Sequence, residues 1–92
     1  MTGFQICDDK GFHITFENGW TVSVQFGGGN YCDNYDMVPR SRTPLSANAE
    51  VAAWVKGGDW HRFDDGETVR GYMTPAEVLA FMNEIAAKEQ DQ

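Results

Sequence analysis

Two apolar alternations, Phe12-His13-Ile14-Thr15-Phe16 and Trp20-Thr21-Val22-Ser23-Val24-Gln25-Phe26, flank the short segment Glu17-Asn18-Gly19. Period-two alternation marks a strand with one buried face, and Asn-Gly between two such runs marks a hairpin. The parity of the connection decides what this hairpin can build. A two-residue turn at Asn18-Gly19 would pair Phe16 with Thr21 and send the two apolar rows to opposite faces. A three-residue loop, Glu17 to Gly19 with Gly19 left-handed, pairs Phe16 with Trp20 instead. Phe12, Ile14, Phe16, Trp20, Val22, Val24 and Phe26 then share one face, which a single helix can cover. The three-residue loop is therefore the expected one.

The rest of the chain supplies more strands and that helix. Phe4 and Ile6 alternate with polar neighbours as a short first strand, and Asp8-Asp9-Lys10-Gly11 is turn chemistry. Strands resume near Glu50, where Val51, Ala53 and Val55 alternate with Ala52 and Trp54. Lys56-Gly57-Gly58-Asp59 turns the chain into Trp60-His61-Arg62-Phe63, and Asp64-Asp65-Gly66 turns it again into Thr68–Met73. Thr74 is a natural N-cap, Pro75 suits the first helical position, and Glu77 completes a Thr-x-x-Glu capping box. Met73 and Val78 stand where a hydrophobic staple forms. Val78, Leu79, Phe81, Met82, Ile85 and Ala86 recur at helical spacing, so a helix is expected over 75–89, with Leu79, Met82 and Ile85 on the sheet. The expected fold class is α+β: one domain over 1–92, an antiparallel sheet of about five or six strands, and one C-terminal helix on its apolar face.

Composition narrows the function. Fourteen Asp and Glu stand against seven Lys and Arg, a net charge of −7. Binding to DNA, RNA or an anionic membrane needs a basic patch, and Arg40 with Arg42 is the only close basic pair. A partner chosen by charge would present a basic surface. No stretch approaches the ~20 apolar residues of a membrane span, and the first residues lack a signal peptide's pattern. A cytoplasmic protein with Cys7 and Cys32 as free thiols is expected.

Residues 27–48 form a long irregular stretch, usually a functional or mobile feature in a compact domain. Gly27-Gly28-Gly29 follows a strand but is followed by Asn30-Tyr31-Cys32, without the Gly-Lys-Ser/Thr of a phosphate loop or the spacing of a dinucleotide fingerprint. Cys32 with His13 or His61 would need a histidine within hydrogen-bond reach to act as a nucleophile. Cys7, His13, Cys32 and His61 are each isolated, unlike zinc ligands, and the acidic turns lack a calcium loop's spacing. No catalytic residue, metal or cofactor is expected. The two acidic clusters are the candidate partner-binding residues: Asp33, Tyr35 and Asp36 on one loop, and Asp64, Asp65 and Glu67 on the other. Aromatic groups beside carboxylates suit a protein surface carrying Arg or Lys. The alternative is that Tyr31 and Tyr35 pack onto the core.

Residues 11–26, Ala49-Glu50-Val51-Ala52-Ala53-Trp54 and Met73-Thr74-Pro75-Ala76-Glu77-Val78-Leu79 resemble small proteins carried by bacteriophages and prophages. Some small acidic proteins of that origin are anti-CRISPR proteins, including inhibitors of type I systems. The resemblance implies an inhibitor that binds a type I surveillance complex and blocks target DNA, as a charge mimic or by steric exclusion; a monomer in the host cytoplasm is expected. It is carried by framework residues, so it assigns no role to any single side chain. The other function it implies is a small phage accessory or assembly protein that binds other proteins.

Overall fold

A computed structural model describes residues 2–8, 10–36 and 45–89. Five strands, β1 (Gly3–Cys7), β2 (Gly11–Thr15), β3 (Trp20–Gln25), β4 (Ala49–Val55) and β5 (Arg70–Met73), precede one helix, α1 (Pro75–Ala86). The sheet is antiparallel throughout and ordered β1-β2-β3-β4-β5, so every strand lies beside its neighbour in sequence.

The β2–β3 connection is the three-residue loop. Thr15 pairs with Thr21 and Ile14 with Val22, while Phe16 N–H donates to Trp20 C=O at 2.9 Å. Gly19 takes φ +90°, a conformation that costs a side-chain-bearing residue about 1–2 kcal/mol. Val22, Val24, Ala49, Val51 and Ala53 are buried together under Val78, Phe81 and Ile85, with Phe12, Ile14, Phe16, Trp20 and Phe26 packed around them.

The helix begins as its sequence dictates. Thr74 Oγ1 accepts from Glu77 N–H at 3.2 Å, and Glu77 Oε1 accepts from Thr74 N–H at 2.9 Å. Its C-terminus lacks a basic residue in the last turn, and a hairpin side chain stands in. Asn18 Nδ2 donates to the carbonyls of Ile85, Ala86 and Lys88 at 2.9, 3.2 and 3.0 Å, while Asn18 Oδ1 accepts from Trp20 N–H.

Four expectations need correction. Leu79 is 58% exposed, and Val78, Phe81 and Ile85 make the buried face instead. The stripe is centred about one position away because α1 lies chiefly over β3, β4 and β5. Residues 60–63 are not a strand: Trp60 makes one isolated bridge to Trp54, and the chain then turns so that His61, edge-on, and Phe63, tilted, lie against Phe81. The last strand starts at Arg70, not Thr68, and the helix ends at Ala86, where Ala87 N–H bonds back to Asn83. Phe4 and Ile6 do form a strand, but they are 75% and 81% exposed, since α1 does not cover that side.

Among the described residues no helix is long and apolar enough to cross a membrane.

Candidate partner-binding surface

The segment after β3 folds on itself before it reaches the rest of the protein. Asn30 N–H donates to Gly27 C=O and Asn30 Oδ1 accepts from Gly27 N–H, each near 3 Å. Cys32 N–H reaches Asn30 C=O, Tyr35 N–H reaches Cys32 C=O, and Gly29 N–H reaches Tyr35 C=O. Cys32 is 1% exposed at the centre of these turns, and its thiol donates to Gly27 C=O. Asn34 Nδ2 bonds Phe26 C=O at 2.9 Å and Asp33 N–H bonds Asn48 Oδ1 at 2.8 Å. Three asparagines thus do for an irregular backbone what a ladder does for a strand.

A bulge in β5 fixes this loop to the sheet. Ala49 pairs with Met73 and Val51 with Arg70, so Gly71 and Tyr72 together oppose Glu50 alone. Such an extra residue bends a strand and re-aims its side chains. The Glu50 carboxylate accepts from Asn30 Nδ2 at 3.1 Å and from Tyr31 N–H at 3.3 Å, and Tyr72 N–H donates to Tyr31 C=O at 2.8 Å. Tyr31 is therefore held on both sides of its Cα. A Cβ on residue 71 would lie 2.5 Å from Tyr31 Cβ, so only glycine lets loop and strand meet this closely.

The result is an exposed aromatic patch. The rings of Tyr31 and Tyr35 lie parallel, 1° apart with centroids 5.7 Å apart, and expose 52% and 45% of their surface. Tyr72 is 55% exposed and sits at φ +56°, in the left-handed region that disfavours a side chain. All three tyrosines of the chain are thus exposed and tied to one another by loop and bulge. Asp33 and Asp36 are exposed on the same loop, so the expected grouping of Asp33, Tyr35 and Asp36 is present.

Neither a protein-family model, a curated protein nor a solved structure matches the chain.

The second expected cluster is separate. Asp64, Asp65 and Glu67 are exposed on a turn closed by Phe63 N–H to Glu67 C=O and by Glu67 N–H to Asp65 Oδ1. Asp65 also faces Arg70 at 3.5 Å, and Arg62 donates to Gly66 C=O. Among the described residues no hydrogen bond or ion pair joins this turn to the tyrosine loop. Three further rings lie on the sheet face opposite α1, where His13 stands edge-on to Trp54 at 5.1 Å and Trp60 tilts against Trp54 at 4.8 Å. Burial lowers the pKa of His13. His61 is also lowered, first by burial and then by Lys88, against opposing pulls from Glu84 and Asp64. Among the described residues no three His, Cys, Asp or Glu side chains converge as metal ligands do.

Tyr72, Gly71, Asn30 and Glu50 were not singled out from the sequence. Gly71-Tyr72 inside a short apolar strand is the one signal that was there to find, because glycine in a strand marks a bulge or a close backbone approach.

Proposed function

We propose that the protein is a non-catalytic binding module that inhibits a bacterial protein complex by occupying a basic, nucleic-acid-binding surface. The observation that carries this reading is the stacking of Tyr31 on Tyr35 beside Asp33 and Asp36, on a loop pinned to the strand bulge at exposed Tyr72. Exposed tyrosine offers large contact area at low entropic cost, and its ring face attracts Arg and Lys. Adjacent carboxylates add charge-assisted bonds to the same side chains. A local conformation disfavoured by φ, as at Tyr72, is maintained more often at working sites than elsewhere. The partner implied by the phage-like sequence is a type I CRISPR surveillance complex, which holds DNA through Lys- and Arg-lined grooves.

The carboxylates favour contact by shape over wholesale mimicry of DNA. The turn after β1, the loop after β3 and the start of α1 lie at one end of the meander, with Asp8, Asp33, Asp36 and Glu77. Glu17, Asp59 and Glu89 lie at the other end, and Asp64, Asp65 and Glu67 precede the β5 edge. A patch of tyrosine and aspartate within this scatter supports one defined contact.

The test is binding to a purified type I surveillance complex with and without target duplex. Wild type is expected to bind and to compete with DNA. Tyr35→Ala and Tyr31→Ala are each expected to weaken binding tenfold or more, about 1.4 kcal/mol or above, without changing the circular dichroism spectrum. Wild type that leaves DNA binding untouched removes this target. Tight binding unchanged by either substitution removes the patch.

A further inference from the structure

The β1 edge is the least protected surface of the fold. β1 is bonded on one side only, to β2, and its residues Gly3-Phe4-Gln5-Ile6-Cys7 include no charge and no proline. Proteins ordinarily blunt such an edge with lysine, proline, a bulge or a covering helix, because its free amides are a template for another strand. Among the described residues none of these devices is present along β1. Its two large apolar side chains, Phe4 and Ile6, are 75% and 81% exposed on the face they share with Phe12 and Ile14.

We infer that β1 pairs with β1 of a second copy of this chain, antiparallel about a two-fold axis at Gln5, joining two five-stranded sheets into one of ten.

The backbone favours this register. Phe16 N–H bonds Trp20 C=O at the end of the β2–β3 hairpin, so Phe12 and Ile14 direct their amides to β3. By alternation Gly11, His13 and Thr15 direct theirs to β1, opposite Cys7, Gln5 and Gly3. Phe4 and Ile6 are left with N–H and C=O groups pointing outward. Pairing about Gln5 sets Phe4 opposite Ile6 of the other copy, so outward groups meet outward groups twice over. Each apolar side chain then gains the other as its cross-strand neighbour.

Charge selects a second copy over the basic partner proposed above. In a chain of net charge −7, two copies meeting at either end of the meander or beside the β5 edge set carboxylate against carboxylate. β1 is neutral, so self-association costs least here and a basic surface gains nothing from it. Phe4 and Ile6 together expose roughly 300 Å² at ~200 Å² per large side chain. With the strand edges, the pair buries on the order of 1,000 Å² in total, at the low end for specific complexes. The dimer is accordingly reversible, and this inference is independent of the tyrosine patch.

Light scattering across micromolar to millimolar concentrations is expected to show the mass rising from the 10.3 kDa of one chain towards twice that. Ile6→Lys and Phe4→Lys are each expected to weaken association at least tenfold. Both side chains are exposed, so the urea midpoint of dilute protein should stay unchanged. Amide exchange is expected to slow at Phe4 and Ile6 as concentration rises. In a Cys7→Ser background, Gln5→Cys should cross-link two chains under mild oxidation, because the facing positions form a close non-hydrogen-bonded pair. Thr2→Cys, opposite Asp8 in this register, should not. A chain that remains monomeric throughout and leaves Gln5→Cys no more cross-linked than Thr2→Cys overturns the inference. So does a dimer whose Phe4 and Ile6 amides stay unprotected, or one that survives both lysine variants. A monomer that protects these amides only when a foreign strand-forming peptide is added would assign the edge to that peptide instead.

Discussion

Single residues decide the parts of this fold that periodicity does not reach. Asn18 is legible in the sequence as a hairpin residue, but its amide also closes the end of α1, on carbonyls 67 to 70 positions away. No local pattern encodes a cap supplied from the other end of the chain. Asn18→Ala should lower stability by about 1–3 kcal/mol in urea unfolding, since it strips donors from part-buried carbonyls and an acceptor from Trp20 N–H. Asn18→Asp should cost at least as much, because it sets a negative charge against the negative end of the helix. Tyr72 separates stability from binding. Tyr72→Gly should leave the urea midpoint unchanged or raise stability by up to about 1 kcal/mol by relieving the left-handed φ, while weakening partner binding. His61 carries the pH dependence. Burial beside Phe63 and Phe81 holds its pKa below 6.5, so the unfolded chain binds its proton more readily than the folded one. That stability is complete above pH 6.5 and declines as pH falls through 6.5 towards the folded pKa. His13, lowered by burial, adds in the same direction. Urea midpoints at pH 7.5 and 5.5 should differ in this sense, and His61→Phe should reduce the difference.

Among the elements, β2, β3 and the start of α1 were legible nearly to the residue, because each has a strong period and an explicit signal, whereas the helix end, expected at 89, falls at Ala86. Asn18-Gly19 fixes the hairpin and the Thr74–Glu77 box fixes the first turn of α1. Segments 60–63 and 68–69 misread because alternation over four residues also describes a chain that turns two aromatics onto a helix. Leu79 misread for a different reason: a helical stripe defines a direction, while the sheet's position beneath it decides which flank is covered. The two flanks should differ in energy. Ile85→Ala should cost about 2–5 kcal/mol from a fully buried site, and Leu79→Ala less than about 1 kcal/mol, measured by urea unfolding. Equal costs would mean that α1 sits rotated from the position described. The tyrosine loop was legible only as a long acidic, aromatic stretch. Its order comes from asparagine side chains and a bulge, and the contacts that fix it to the sheet join residues 20 or more positions apart, such as Asn30 with Glu50 and Tyr31 with Tyr72.

At the scale of the molecule, the α+β class and the single apolar face followed from the alternating pattern, and the distribution of charge did not. Net charge is a sum, and only the folded chain shows that the carboxylates divide between both ends of the meander and the β5 edge. Reversing Asp33 and Asp36 to Lys should therefore slow association with a basic partner several-fold at low salt, while reversing Asp64 and Asp65 should change it little. Stopped-flow association at two ionic strengths measures both, and equal effects would argue for a diffuse field in place of a local contact. The order of the strands has a kinetic meaning. Each strand pairs with the one before it, and the β1–β2 and β2–β3 hairpins close through short loops of small closure entropy, so they should form before β3 and β4 pair across residues 26–48. The clamp between the first hairpin and the final turn of the helix is the exception, spanning most of the chain. It can form only after the strands have docked and the two regions have met. The last turn of α1 is thus a late reporter of folding, and a substitution at Asn18 should speed unfolding while leaving the folding rate almost untouched.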